Sequence, residues 1–259
     1  MTAPKQRPRP RFSGFTLVEL LVVVALIAGL TSMAVMGFQN ARLRANQAIS
    51  TNNLRQLATA NLLYTADFQT YAPATDRTNR IRWHGARTSA RTKFDPEKGY
   101  LSAYLGKSRT VSVCPEFKRF LTDGASFENG SGGYGYNSLY IGGTPENPFK
   151  PNRPAHVADP SKTLMFATTA FAVADGLQEY PFADPPHSVE MDWELGGPLQ
   201  PSVHFRFNGR ALIAWCDGHV TEERANQTSA TNYYGGSNKS SSIGFCGPTA
   251  DNGWWNPRK

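Results

Sequence analysis

Proline is absent from one long part of this chain. None of the 18 prolines among its 259 residues lies between Pro10 and Pro73. An internal proline removes a backbone hydrogen bond and clashes with the preceding helical turn, so this gap permits an uninterrupted helix. Apolar residues recur at helical spacing in the second half of the gap. The sequence therefore predicts one helix from residue 15 to about residue 67, roughly 80 Å long.

Charge is scarce in the first part of that helix. Residues 15–38 form an apolar run of 24 residues with one charged side chain, Glu19. Such a run is long enough to cross a bilayer. It is too long for the apolar part of a secretory signal, and no small-x-small cleavage site follows it. Because a carboxylate inside a bilayer costs about 2.5–3.5 kcal/mol on insertion scales, Glu19 is a candidate functional residue.

Positive charge is concentrated ahead of the apolar run. Lys5, Arg7, Arg9 and Arg11 supply four of the seven net positive charges, which leaves +3 for the rest of the chain. The basic character of the chain therefore gives little support for nucleic-acid binding. Positive charge before the run also predicts a cytoplasmic N-terminus and an exported remainder.

Cysteine is rare, with three residues in the chain, Cys114, Cys216 and Cys246. In an oxidising compartment, three thiols permit one disulfide and leave one thiol over. The shorter intervening segment favours a Cys216–Cys246 disulfide. The alternative is that all three are small buried hydrophobic residues.

Metal-binding and catalytic motifs are also missing. The five histidines are scattered, without an HExxH motif or a second cluster at zinc-like spacing. Cys216 and His219 lie close together, but the sequence shows no third partner for a hydrolase. Glu190, Asp192 and Glu194 are typical of a solvated loop or a ligand-facing surface. The sequence thus predicts that the chain is not an enzyme and has no transition-metal site.

The residues at the start of the apolar run form a specific motif. Segment 14–20, which reads GFTLVEL, resembles the processing and methylation motif of type IV pilins and type II secretion pseudopilins. The resemblance implies that a prepilin peptidase cuts between Gly14 and Phe15 and methylates the new amine of Phe15. It also implies that Glu19 pairs with the N-terminal amine of a neighbouring subunit in a filament. Two opposite charges in hydrocarbon are costly apart and tolerable when paired.

This resemblance implies a structural subunit made as a single-pass inner-membrane precursor with a periplasmic head. An inner-membrane assembly platform would move it into a periplasmic or cell-surface filament, with other pilins or pseudopilins and copies of itself. One alternative is a filament-anchored binding module that captures glycans, exported substrates or DNA through aromatic-rich loops such as the one with Trp254-Trp255. Another is an anchored envelope protein that is never processed.

The resemblance extends to one group of pseudopilin-like proteins. Segments 52–57, 64–67 and 71–73 resemble that group, whose members carry a C-terminal motif of His, nine residues and then Asp-Gly. Asp217-Gly218 matches the end of the motif and reads as a turn between strands. Phe207 stands at the position of the histidine, and His204 lies three residues too early. The contact that the motif histidine makes is therefore in doubt here.

Calcium is the one cofactor that the resemblance brings into consideration. Major pseudopilins often hold calcium in a C-terminal loop, and Asp251 and Asn252 offer oxygens in such a loop. Calcium takes six to eight oxygen ligands, and too few acidic residues cluster in this loop. We therefore expect no bound cofactor.

After Pro73 the composition changes to short apolar runs separated by glycine, proline and asparagine. Four runs predict strands: 110–114, 163–167, 203–207 and 210–216. Asn208-Gly209 between the last two predicts a two-residue hairpin. The glycine- and tyrosine-rich segment 134–137 predicts a tight loop packed over the sheet.

These patterns predict an α+β fold, with a long N-terminal helix packed against an antiparallel sheet head with long loops. The resemblance implies that this fold is type IV pilin-like. The expected divisions are a leader (1–14), a transmembrane half-helix (15–38), an exported half-helix (39–68) and a globular head (69–259).

Overall fold

A computed structural model shows one long helix that runs through two compact units of the chain. The residues that it describes are 16–108, 110–120, 128–189, 195–228 and 235–258. The units are Met1–Arg44 and Ala45–Lys259. The helix, α1 (Leu17–Phe68), is 52 residues long and begins and ends within two residues of the predicted positions. The second half of α1 therefore belongs to the same unit as the head.

Twelve strands follow α1 within the described parts of the chain. They are β1 (Ile81–Arg82), β2 (Gly85–Ala86), β3 (Tyr134–Tyr136), β4 (Leu164–Thr168), β5 (Phe171–Val173), β6 (Gly176–Gln178), β7 (His187–Val189), β8 (Leu195–Pro198), β9 (Val203–His204), β10 (Arg210–Trp215), β11 (Val220–Gln227) and β12 (Ile243–Cys246). Six of them form an antiparallel sheet in the order β3-β4-β10-β11-β12-β9. The other six form two-stranded ribbons, β1-β2, β5-β6 and β7-β8. This is the predicted α+β, type IV pilin-like architecture.

The second half of α1 packs against one end of the six-stranded sheet. Leu54, Leu57 and Ala58 on the helix are at most 1% exposed. The amides of Asn53 and Asn61 donate hydrogen bonds to the hydroxyls of the two β3 tyrosines, at 3.0 and 2.9 Å. The burial of apolar side chains and the buried hydrogen bonds therefore both hold the helix against the sheet.

The predicted turn at Asn208-Gly209 forms, but the predicted hairpin does not extend from it. Both turn residues have positive φ, 51° and 73°. Phe207 and Arg210 exchange two backbone hydrogen bonds of 3.0 Å across the turn. Beyond it, β10 pairs with β4 and β11, whereas β9 pairs with β12. A strand has two edges, so β10 has none left for residues 203–207.

Two other local predictions are wrong. Segment 110–114 forms no strand, and the Cys114 N–H donates to the carbonyl of Gly132 at 2.9 Å. The predicted loop at 134–137 instead contains β3, at the edge of the sheet. An added Cβ at Gly135 would lie 2.5 Å from the backbone oxygen of Phe182. Glycine is therefore required here by close packing within a strand and not by a turn.

Candidate functional site

The first turn of α1 is closed by reciprocal hydrogen bonds between Thr16 and Glu19. The backbone N–H and the hydroxyl of Thr16 donate to Oε2 of Glu19 at 2.9 and 2.7 Å. The Glu19 N–H donates to the Thr16 hydroxyl at 3.2 Å. This arrangement is a capping box, which satisfies backbone donors that have no partner inside the helix. The Thr-x-x-Glu spacing typical of a capping box is present in the sequence, but the capping box was not among the predictions from sequence.

The predicted processing residues, Gly14 and Phe15, lie outside the described residues. Thr16 is the first described residue, and α1 begins after it. Glu19 therefore lies one turn from the point at which the predicted cut would leave a free amine. The partial positive charge at a helix N-terminus favours a carboxylate at this position.

The apolar side chains in the first half of α1 are not covered within their own unit. Leu17, Leu30 and Phe38 are 74%, 69% and 76% exposed, and so are the large apolar residues described between them, such as Val22 and Met33. By length and composition, α1 is able to cross a membrane. A contiguous apolar surface of this size marks a contact with lipid or with other protein chains.

Polar residues inside this apolar stretch are satisfied by the helix itself. The Thr31 hydroxyl donates to the carbonyl of Ile27, and the Ser32 hydroxyl donates to the carbonyl of Gly29 at 2.8 Å. An unpaired polar group in hydrocarbon costs several kcal/mol. These local hydrogen bonds therefore make the helix compatible with apolar surroundings.

Asp217 and Gly218 form the turn that joins β10 to β11. Oδ1 of Asp217 accepts from the N–H of His219 at 3.1 Å and lies 2.6 Å from its ring Nδ1. Gly218 has φ +94°, a conformation that glycine adopts readily. Its N–H donates to the carbonyl of Trp215 at 2.9 Å. The retained half of the C-terminal motif thus has a local role in closing a turn.

Neither candidate for the motif histidine lies beside that turn. Phe207 is buried, 1% exposed, and forms one side of the Asn208-Gly209 turn. His204 ends β9 and is packed between the rings of Phe117 and Phe120, with centroids at 6.2 and 5.4 Å. His204 therefore makes a core contact and does not replace the missing residue at the turn.

The predicted Cys216–Cys246 disulfide does not form. Both residues and Cys114 are buried free thiols. Cys246 on β12 lies opposite Ala225 on β11. Cys216 follows the end of β10, beyond the last β10–β11 pair, which joins Ala214 to Val220. Val220 and Ala225 are five residues apart along β11, roughly 17 Å, whereas a disulfide needs Cα atoms within about 7 Å. Short separation in sequence was a poor guide because β11 runs back between the two residues.

The Cys216–His219 pair does not form a nucleophile and base. Burial raises the pKa of the Cys216 thiol, so the thiolate is disfavoured. The His219 ring stacks on Trp215, with centroids 5.7 Å apart, and is paired with Asp217 as described above. The acidic residues Glu190, Asp192 and Glu194 lie outside the described residues.

The C-terminal loop uses its polar and aromatic groups for internal contacts. Oδ1 of Asn252 accepts from the N–H of His187 at 2.8 Å, and its amide donates to the hydroxyl of Tyr140 at 2.8 Å. Trp255 is fully buried, and Trp254 packs edge-on against the indole of Trp215. Trp255 is therefore not available to a ligand, and Trp254 is only partly exposed.

Asp251 and Asn252 are poorly arranged for calcium. Since Asn252 already accepts and donates hydrogen bonds within the head, its oxygen is not a spare ligand. Among the described residues, no group of three His, Cys, Asp or Glu side chains is arranged to hold a metal ion.

A buried cation is the main polar feature that the sequence reasoning missed. Arg206 is 7% exposed, and its Nη2 donates to the carbonyls of Gly133 and Thr169 at 3.0 and 2.7 Å. Its guanidinium lies over the ring of Phe117, 4.4 Å from the ring centroid, and its Nε and Nη1 make no hydrogen bond that meets ordinary geometry among the described residues. It lines a pocket of about 450 Å³ together with His204 and Phe120. In the sequence, Arg206 is a single charged residue between Phe205 and Phe207, and this alternating pattern does not show that its side chain is buried.

His84 gives the head a predicted sensitivity to acid. The ring is fully buried and burial, with Arg82 and Arg87 nearby, lowers the pKa of His84 to about 3. In the unfolded chain His84 takes up a proton near pH 6.5, whereas in the folded chain it stays neutral until about pH 3. The contribution of neutral His84 to folding stability is therefore fully present above pH 6.5 and is lost as the pH falls toward 3. The loss reaches about 1.4 kcal/mol per pH unit. Urea unfolding of the chain between pH 7 and pH 4 measures it.

The variant His84→Phe should flatten that pH profile, whereas His156→Phe, at an exposed histidine, should leave it unchanged. The comparison with wild type is needed because burial raises the pKa of Asp184 to about 6. That group acts in the opposite direction, since the folded chain gains stability as Asp184 takes up its proton below pH 6. An identical slope in wild type and His84→Phe would contradict the assignment.

Comparisons with known proteins agree with the N-terminal motif. Residues 9–36 match the model of the prokaryotic N-terminal methylation motif. The type IV major pilin protein PilA of Myxococcus xanthus (strain DK1622) is 35% identical over 91 residues, which cover 32% of this chain and 40% of that relative. The chain thus spans less than half the length of the curated relative that it matches. No solved structure gives a significant match.

The matched motif lies on the helix start that carries Thr16 and Glu19, and the head that follows is an antiparallel sheet packed on the second half of the same helix. Membership of the narrower group with the His and Asp-Gly motif stays a prediction. In its N-terminal motif, in the matched 91 residues and in its α+β architecture, this chain is similar to type IV pilins.

Proposed function

We propose that this protein is a structural subunit of a type II secretion or type IV pilus-like filament. The observation that carries the proposal is the methylation motif on an apolar helix whose side chains are uncovered in the single chain. Burying that surface against neighbouring helices or lipid supplies roughly 25 cal/mol per Å² of apolar area. Transfer of the apolar half of the helix from water to lipid or to a helix–helix contact is therefore strongly favourable.

The first step of the proposed pathway is processing. A prepilin peptidase cuts between Gly14 and Phe15 and methylates Phe15, which creates a cationic amine one turn before Glu19. In the filament, that amine meets the Glu19 carboxylate of a neighbouring subunit. The capping box supports this step, since it holds the carboxylate toward the start of the chain.

The proposed location changes during assembly. The precursor spans the inner membrane once, with its N-terminus in the cytoplasm and its head in the periplasm. An assembly platform in that membrane then transfers it to a periplasmic or surface filament that contains other pilins or pseudopilins. The basic leader supports this orientation, because positive charge is retained on the cytoplasmic side. The role we propose is structural and needs no enzymatic activity and no cofactor.

Mass spectrometry of the N-terminus tests the processing step. In cells with an active prepilin peptidase, the purified chain should begin at Phe15 and carry one added methyl group. Gly14→Leu should leave the leader in place because a bulky side chain replaces the small residue at the cut. Ser13→Ala, which changes the adjacent residue and keeps the glycine, should be processed normally. A wild-type chain that retains its basic leader and forms no filament would instead support the anchored, unprocessed alternative.

A second candidate function is a filament-anchored binding module for glycans, exported substrates or DNA. The buried tryptophan at position 255 argues against capture through that aromatic loop.

A further inference from the structure

The head contains a pocket whose wall carries more cations than anions. We call it the basic pocket. It has a volume of about 870 Å³, within the range of small-molecule sites. The lining residues that carry the argument are Glu146, Lys150, Asn152, Arg153, His156 and Arg258. All of them belong to the unit that contains the sheet, so the pocket is formed within one compact part of the chain.

The charges on the wall of the basic pocket do not balance. Nη2 of Arg258 pairs with Oε1 of Glu146 at 3.2 Å. Lys150 and Arg153 form no ion pair with a carboxylate among the described residues. Three cations against one carboxylate leave two positive charges on the wall. Charges of one sign in a concave site raise the local concentration of ions of the opposite sign.

These charged groups are in contact with solvent. Lys150 and Arg153 are exposed residues. The side chains of Arg258 and Glu146 are 51% and 53% exposed. An anion from solution can therefore reach all three cations without a rearrangement of the head.

Asn152 holds the segment that carries Arg153 and His156. It is 7% exposed, and its amide donates to the carbonyl of Tyr140 at 2.9 Å. Its Oδ1 accepts from the N–H of Arg153 at 2.8 Å and lies 3.1 Å from Nδ1 of His156. Because an amide oxygen only accepts, Nδ1 carries the proton of this bond. The backbone of Arg153 and the ring of His156 are thus in place before a ligand binds, which lowers the entropy cost of binding.

A hydrogen-bonded turn carries Glu146 and Lys150. Thr144 and Asn147 exchange two backbone hydrogen bonds of 3.1 and 2.9 Å, and the Lys150 N–H donates to the carbonyl of Asn147 at 3.0 Å. Partial burial raises the pKa of Glu146, but hydrogen bonds with its own backbone and with Thr144, together with Arg258, outweigh burial and leave the pKa below its ordinary value. Glu146 is therefore ionised at neutral pH and neutralises Arg258, whereas Lys150 and Arg153 keep their charges for a ligand.

We propose that the basic pocket binds a dianionic phosphate group, either of a phosphomonoester or of inorganic phosphate. Lys150 and Arg153 contact the phosphate oxygens, so that two positive charges meet two negative ones. A phosphate monoester carries close to two negative charges at pH 7 and three strong acceptor oxygens, whereas a carboxylate supplies one charge. The guanidinium fork also matches the spacing of phosphate oxygens. This inference goes beyond the filament proposal, and its failure would leave that proposal untouched.

Calorimetry with the full chain in a micelle of a polyoxyethylene detergent, at an ionic strength of about 0.05 M to limit screening, tests the proposal. Glucose 6-phosphate should bind at least about tenfold more tightly than gluconate, which carries one negative charge, and than glucose, which carries none. Equal binding of glucose 6-phosphate and gluconate would overturn the proposal. So would the absence of glucose 6-phosphate binding up to about 10 mM.

Inorganic phosphate separates the two sources of the phosphate group. If it binds as tightly as glucose 6-phosphate or more tightly, the pocket takes the phosphate ion itself. Weaker binding assigns the pocket to a phosphomonoester, since the rest of the ester then adds contacts within the remaining volume of the pocket.

Four variants at exposed positions locate the binding site. Lys150→Gln and Arg153→Gln should each weaken glucose 6-phosphate binding about three- to tenfold, because each removes one of the two unpaired charges. Glu146→Gln should instead tighten binding about two- to fivefold, since it removes the negative charge from the wall. Lys239→Gln, at an exposed lysine that does not line the pocket, should bind as wild type.

Folding is checked on the same four variants. Each should keep the unfolding temperature of wild type, because substitutions of exposed side chains change stability by less than about 0.5 kcal/mol. Wild-type affinity in both Lys150→Gln and Arg153→Gln would show that the phosphate binds elsewhere and would overturn the assignment to this pocket. Equal weakening in Lys239→Gln would show that only the overall charge of the head matters, with the same consequence.

Discussion

Glu19→Gln should abolish filament formation while the chain is still made and processed. The side chain keeps its length, and glutamine is accepted at the third position of a capping box, so the hydrogen bonds to Thr16 are retained. What is lost is the negative charge. The methylated amine of the next subunit would then enter hydrocarbon without a counter-charge, and breaking a buried pair in this way costs about 3–5 kcal/mol.

That cost recurs at every subunit of a filament, so the effect on assembly should be close to complete. Electron microscopy of sheared surface filaments, with immunoblotting of the membrane fraction for the retained subunit, measures it. A 3–5 kcal/mol loss per contact lowers the association constant by about 10²- to 10⁴-fold.

The matched control is Thr16→Val, which removes the hydroxyl from the capping box and keeps the carboxylate. Loss of a capping side chain costs about 1 kcal/mol, so filaments should still form, with reduced yield. Wild-type filaments from Glu19→Gln would show that the charge is not needed and that Glu19 acts only as a helix cap.

Asn61→Ala should destabilise the head by about 3 kcal/mol. Asn61 is fully buried on α1, and its amide donates to the hydroxyl of Tyr136 at 2.9 Å. Its Oδ1 accepts from the N–H of Ala72 at 2.9 Å, just after the helix ends. Truncation removes both bonds and leaves a buried backbone donor unpaired, and each such group costs about 1–3 kcal/mol.

Thermal unfolding followed by circular dichroism measures the effect. For a head of this size, 3 kcal/mol lowers the unfolding temperature by about 6–12 °C. Asn52→Ala is the matched control, because this asparagine lies on the same helix and is exposed. It should change stability by less than about 0.5 kcal/mol. Equal effects of the two variants would mean that helix propensity, and not the buried hydrogen bonds, decides stability at position 61.

Local patterns predicted the parts of the fold that depend on neighbouring residues. The absence of proline and the apolar spacing predicted α1 nearly to its ends. The Asn208-Gly209 turn and the strands β4 and β10 were also predicted, since turn chemistry and short apolar runs are encoded locally. The pairing of the strands was not predicted, because the strands that occupy the two edges of β10 come from segments far apart in the chain.

The same division applies to the candidate sites. The composition around Glu19 pointed to it at once, because one charge in an apolar run is visible without any structure. The buried Arg206 was missed, since nothing in its immediate neighbours shows that it is covered from solvent. The false disulfide had the same cause: separation along the sequence does not report distance across a sheet.

The sequence by itself determined that the chain has an N-terminal methylation motif, an apolar helix with one acid, and a head that contains strands. Tertiary structure alone decided that the three thiols stay apart and that Arg206 lies buried over the ring of Phe117. Hydrophobicity and helix periodicity are properties of consecutive residues, whereas burial and partners arise only when distant segments pack together.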